Sequence, residues 1–198
     1  METRYFDIRA TNNETRTVAG YAAVFGQPSV LLYSQFREQI ERGAFAGSLQ
    51  DDIRALWNHN DSIVIGRTKA GTLRLAEDAH GLRVEIDMPA ERRDLFESIQ
   101  RGDVDQMSFG FDTLLDAWDK DADGVIMRTL RSVKLYEVSP VTFPAYPQTE
   151  IAMRGDALGD KPEIPAHLTQ DASGSDAEQA QARLSEMRRR LDLAEIEL

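Results

Sequence analysis

Between Arg4 and Val138 the chain is a succession of β-rich runs of four to nine residues, cut by turn-forming residues. That pattern limits the fold more than any other feature. The runs are 4–9, 17–25, 36–40, 53–57, 63–67, 72–75, 82–88, 107–113, 114–118, 125–130 and 133–138. The clearest is 82–88, where Leu82, Val84, Ile86 and Met88 alternate with Arg83, Glu85 and Asp87, as a half-exposed strand requires. Two helical stretches interrupt the series. A short one is expected from Arg42 through Leu49. A better-signalled one covers 91–99, with Pro89 ahead of it, Gly102 behind it, and Leu95, Phe96 and Ile99 on one face. Many short strands with few helices predict a mainly β fold, a closed or nearly closed β-barrel with peripheral helices.

The tail has a different composition. The chain carries 34 acidic and 23 basic residues, a net charge of −11, and the last 44 residues hold 10 of those acids against 5 bases. Residues 156–176 are polar, rich in Pro and Gly, and without apolar period, which reads as a linker. Beyond them Ala180, Leu184, Met187, Leu191, Ala194 and Leu198 follow the alternating spacing of four and three of a heptad seam. The expected division is a β domain over 1–154, a flexible linker over 155–175 and an amphipathic helix over 176–198.

Composition excludes several kinds of function. There is no cysteine, so disulfides, thiolate metal sites and a Cys nucleophile are out. The negative charge argues against nucleic acid as the main partner. No apolar run approaches the ~20 residues of a membrane span, and Met1-Glu2-Thr3-Arg4 lacks the apolar stretch of a signal peptide. A soluble, cytosolic protein is expected. Asp119-Lys120-Asp121-Ala122-Asp123-Gly124 matches the opening half of a calcium-binding EF-hand loop, but the twelfth position, which must supply a bidentate Glu, is Leu130. It reads as a polar hairpin turn, and no metal or cofactor is expected.

Without cysteine, nucleophilic chemistry falls to a hydroxyl. His167 lies in the linker and His80 in a turn. His59 closes the run 53–57, where a sheet could hold its ring rigidly at a cleft as a general base, or where it is simply a turn histidine. Ser108, in Gln106-Met107-Ser108-Phe109-Gly110-Phe111, is either tolerated among bulky neighbours for its small size or placed for attack. Glu137, in Leu135-Tyr136-Glu137-Val138-Ser139-Pro140, is either a solvated strand charge or an acid that orients an imidazole.

Six blocks taken in order resemble the tailed-phage prohead proteases, or capsid maturation proteases. They are Phe36 through Phe45 (FREQIERGAF); Ala55-Leu56-Trp57-Asn58-His59; Ile65-Gly66-Arg67-Thr68 with Gly71-Thr72-Leu73; Gly81-Leu82; Met107-Ser108-Phe109-Gly110-Phe111; and Glu137 through Tyr146 (EVSPVTFPAY). The likeness runs from about Tyr21 to Thr149. It implies a serine endopeptidase with a fold like that of herpesvirus assemblins, a β-barrel with peripheral helices. It implies Ser108 as nucleophile, His59 as base, and Glu137 as third member, with Ser139 as the competitor on the same strand face. By the same analogy Ala145 or Tyr146 supplies the oxyanion hole, since Pro144 has no N–H. The implied substrates are scaffold, the capsid protein's scaffold-like extension and the protease itself, inside a portal-containing prohead in the bacterial host's cytoplasm, from a phage or prophage. The tail helix is then a scaffold tether or a self-association element, and a homo-oligomer is compatible. The rival readings are a non-catalytic assembly protein that binds scaffold, and a small-molecule hydrolase with the same three residues.

Overall fold

Alternation over 81–87 organises the first sheet. The computed structural model describes residues 8–142 and 162–169. Strands β1 (Ile8–Asn12), β2 (Thr17–Val24), β6 (Leu73–Glu77) and β7 (Gly81–Asp87) pair antiparallel in the order β1-β2-β7-β6. Leu82, Val84 and Ile86 of β7 are fully buried, while Arg83, Glu85 and Asp87 face outward and pair with one another or with Arg74 of β6. The Arg74 guanidinium holds the Asp87 carboxyl below the usual carboxylate range. Gly81 is needed at the start of β7 because any Cβ there would stand 2.0 Å from the Ala23 carbonyl oxygen.

The second sheet is organised on one long strand, β9 (Ile126–Val141). Along one edge it pairs antiparallel with β8 (Gln106–Lys120) over the whole length of both. Along its other edge it takes two strands in parallel: β3 (Phe36–Ile40) at 126–130, and β4 (Arg54–Trp57) at Glu137 and Val138. Strand β5 (Asn60–Arg67) completes the sheet as the hairpin partner of β4. At the far end of the β8–β9 hairpin, buried Arg128 ties three strands together. It donates to Glu38 on β3 (2.9 Å) and to Asp116 (2.7 Å) and Thr113 (2.8 Å) on β8. Asp119–Gly124 lies at the tip, where the Asp121 carboxylate accepts the N–H groups of Asp123 and Val125 as a turn cap.

Three expectations need correction. The strands expected separately at 107–113 and 114–118, and at 125–130 and 133–138, are continuous in β8 and β9, because β-bulges absorb the breaks in pattern. The strands also do not close into one barrel. Their ladders form two separate sheets, joined at the margins by single main-chain bonds from Gly26 N–H to the Ile40 carbonyl (2.9 Å) and from Ile8 N–H to the Asp105 carbonyl (3.1 Å), and the described fold is mainly β with few helices. The corner between β5 and β6 shows why. A 3₁₀ turn (Thr68–Ala70) and Gly71 at φ 71° redirect the chain, and Gly66 packs so closely that a Cβ would stand 2.9 Å from the Ile86 methyl. The ladder of β5 therefore does not continue into β6.

The stretch after β3 is also not a helix but a run of turns, with Gly43 at φ 92°. It fills the gap on β9 between the positions paired with β3 and β4. Val133 N–H donates to the Ala44 carbonyl (2.9 Å), Ser48 Oγ donates to the Val133 carbonyl (3.0 Å), and Leu135 N–H donates to Ser48 Oγ (3.0 Å). Ser48 thus satisfies two buried main-chain groups that no strand reaches. Ser48→Ala orphans both and is expected to lower unfolding free energy by about 2–3 kcal/mol, read as a reduced urea midpoint at unchanged slope.

The helix predicted at 91–99 is present as α1 (Arg93–Gln100), entered through a 3₁₀ turn (Ala90–Arg92), with Leu95, Phe96 and Ile99 buried in the core. Contacts divide the chain into units Met1–Lys161 and Pro162–Leu198. In the second, the described residues hold a four-residue helix, α2 (Ala166–Thr169), which carries His167. The heptad helix expected over 176–198 lies outside the described residues.

Candidate active site

Strand alternation on β8 and β9 decides which side chains can meet. Ser108 pairs with Ser139, Gly110 with Glu137, and Gln106 with Val141, so these six positions share one face. Met107 and Val138, between them, point into the core. Just past Gly110 the register shifts, so that Phe111 pairs with Leu135 and Tyr136 bulges out of the ladder.

The β4–β5 hairpin delivers the histidine to this face. Trp57 pairs with Asn60, which leaves Asn58 and His59 as a two-residue turn with φ of 53° and 57°. Two consecutive positive φ values are the signature of a type I′ turn, which favours Asn at its first position. A histidine at the second is strained by ~1–2 kcal/mol relative to ordinary backbone. The turn is stitched to the end of β9: Asn58 N–H donates to the Pro140 carbonyl (3.0 Å), Thr142 N–H to Asn58 Oδ1 (2.8 Å), and Asn58 Nδ2 to Thr142 Oγ1 (3.3 Å). His59 N–H donates to Ser139 Oγ (3.2 Å). The expectation of a histidine held at a strand end is thus sharpened, since the ring is carried by the turn itself.

Its ring completes a chain of hydrogen bonds. His59 Nδ1 lies 2.7 Å from Glu137 Oε1, and Ser139 Oγ donates to Glu137 Oε2 at 2.5 Å. The Glu137 side chain is only 12% exposed and that of His59 30%. A carboxylate only accepts, so the proton of a neutral imidazole is on Nδ1 and the lone pair on Nε2. Nε2 is buried and has no hydrogen-bond partner. Gly110 makes the room: a Cβ there would stand 2.6 Å from Glu137 Oε1. Gly110→Ala is therefore expected to push the carboxylate off the imidazole with the fold retained, read as loss of the hydrogen-bonded His59 Nδ1 proton signal by NMR beside an unchanged circular dichroism spectrum.

The structure brings His59, Glu137 and Ser139 into one network and sets Ser108, 9% exposed, directly beside Ser139. It shows no hydrogen bond between Ser108 and His59; such bonds often tighten only with substrate bound. Ala145 and Tyr146 lie outside the described residues. Sequence reasoning missed Asn58 and Gly110. A glycine two positions after a candidate serine, inside a strand, was the available signal for close approach by another group. The model of the caudovirus prohead serine protease family matches residues 4–160, more than three quarters of the chain. The chain belongs to that family. No curated protein and no solved structure matches it.

For a prohead serine protease, the segment from β4 to Thr142, just past β9, holds every side chain of the hydrogen-bonded network, and the family match spans all of it. The family is one of serine peptidases, consistent with a hydroxyl nucleophile in a chain without cysteine. Membership also implies a role in capsid maturation within the assembling prohead. Among the described residues no helix is long and apolar enough to cross a membrane.

Proposed function

We propose that the chain is an active serine endopeptidase that cuts scaffold, the capsid protein's scaffold-like extension and itself. Ser108 is the nucleophile, His59 the general base and Glu137 the group that orients it. One observation carries the reading: a histidine whose Nδ1 is fixed on a nearly buried carboxylate while its Nε2 lone pair is left unpartnered. Nε2 takes the proton of Ser108 as Oγ attacks the scissile carbonyl. It then returns that proton to the leaving amine, and water hydrolyses the acyl-enzyme by the same route in reverse. Glu137 holds the tautomer and stabilises the imidazolium. Ser139 holds Glu137 and the main chain of His59, a supporting role rather than that of third member. The Ala145 or Tyr146 N–H is the proposed oxyanion donor. The 176–198 helix is proposed as a tether to scaffold or a second copy.

The direct test is an alkyl fluorophosphonate, which phosphonylates an activated serine. Mass spectrometry should place the adduct on Ser108 and find self-cleavage fragments of the untreated chain. An unlabelled Ser108 in a folded, intact chain would leave a scaffold-binding assembly protein instead.

A further inference from the structure

Among the described residues three buried side-chain nitrogen or oxygen atoms lack a hydrogen-bond partner: Arg16 Nε, His59 Nε2 and Gln106 Oε1. Such orphans are uncommon, because each costs free energy that folding must recover elsewhere. Two of the three belong to residues near Ser108: Gln106 on the same strand, and His59, whose main chain donates to Ser139, the residue paired with Ser108. His59 Nε2 is accounted for by the proton it receives in the proposed reaction. Gln106 Oε1 belongs to the next side chain on the same strand face, two residues and about 7 Å of strand from Ser108, with no register shift between them. It has no such account.

We infer that Gln106 is a substrate-binding residue whose amide oxygen accepts a main-chain N–H of the peptide next to the scissile bond. This rests on the proteolytic reading above. An extended peptide lying across Ser108 must pass between the His59 turn and a neighbouring rung of the β8–β9 ladder. The rung on the far side from Glu137 is Gln106–Val141, and Val141 has only an apolar side chain to offer. The peptide brings unpaired N–H groups, and Gln106 holds an unpaired acceptor. Pairing them satisfies the buried acceptor and replaces the water that the peptide N–H gives up on binding. Gln106 as a residue is half-buried, and the terminal torsion of glutamine is broad, so its amide can turn to meet the chain.

The test compares wild type with Gln106→Met, which keeps the length and loses the acceptor. Two probes are used: an alkyl fluorophosphonate, and an octapeptide spanning a bond the wild-type chain cuts in itself. The fluorophosphonate should label Ser108 at the same rate in both proteins, because it has no peptide chain to hold. Peptide kcat/KM should fall about tenfold in the variant, mainly through KM. The octapeptide is then remade with one backbone amide at a time changed to an ester. In wild type one ester near the scissile bond should cost a similar factor, and in Gln106→Met that loss should vanish. Equal peptide hydrolysis by both proteins overturns the inference. So does labelling slowed in step with hydrolysis, which would mean that Gln106 supports the triad or fold. A kcat loss that is the same for amide and ester peptides also overturns it, and would assign the flipped amide to the oxyanion. A wild-type chain that neither labels nor cuts defeats the proteolytic reading itself.

Discussion

A Ser108→Ala chain should fold like the wild type and cut nothing. The expected loss in kcat is on the order of 10⁶-fold, because removing the proposed nucleophile leaves only substrate binding and oxyanion stabilisation. Stability should hardly move, within about 0.5 kcal/mol, since Ser108 makes no side-chain hydrogen bond with another described residue and alanine keeps its Cβ. That separation of effects matters in a chain proposed to process itself. Wild type made alone should accumulate fragments, while Ser108→Ala should remain at the full mass of 22.3 kDa. Equal self-processing by the two would remove Ser108 from the mechanism. Loss of processing together with a lowered thermal midpoint would point to packing around Ser108 and Ser139 instead of chemistry.

What was legible in the sequence follows from the period of its side chains. Strand β7 was clear because every second residue is apolar and one face is solvated. Helix α1 was clear because its apolar residues, its Pro and its Gly all agree. The long β8–β9 hairpin was read in pieces because bulges near Gly110, Leu115 and Ser132 interrupt the period without ending the strands. Residues 42–49 misled for a different reason. Their polar groups are spent on the β9 edge, a long-range use that local pattern does not reveal. The same holds for the division of the strands into two ladders, which depends on pairings between residues far apart in the chain. At the site, the residues alone left His59, Ser108 and Glu137 open between structural and catalytic readings, and the resemblance of their blocks to the prohead proteases singled them out, with Ser139 beside Glu137. Alternation could not separate the last two, because residues two apart share a face. Only three-dimensional geometry shows that both lie in one network, with Glu137 on the ring and Ser139 behind it.

That geometry makes Glu137→Gln the second decisive variant, with an expected loss of about 10⁴-fold in kcat at little change in KM. The carboxylate accepts two hydrogens at once, one from His59 Nδ1 and one from Ser139 Oγ. A carboxamide of the same shape accepts at one end only and donates at the other. If its NH₂ faces the ring, Nδ1 must become an acceptor, the proton moves to Nε2, and the base is lost. If its oxygen faces the ring, the tautomer survives, but the negative charge opposite the developing imidazolium is gone and Ser139 loses its acceptor. Both arrangements fail, for different reasons, so the outcome does not depend on which the side chain adopts. Ser139→Ala removes a hydroxyl that touches Glu137 and the His59 main chain but not the ring, and should cost only about tenfold. Measured side by side on one peptide, the two variants should differ by about three orders of magnitude. If instead Glu137→Gln is mild and Ser139→Ala severe, the serine is the third member and the carboxylate merely holds it.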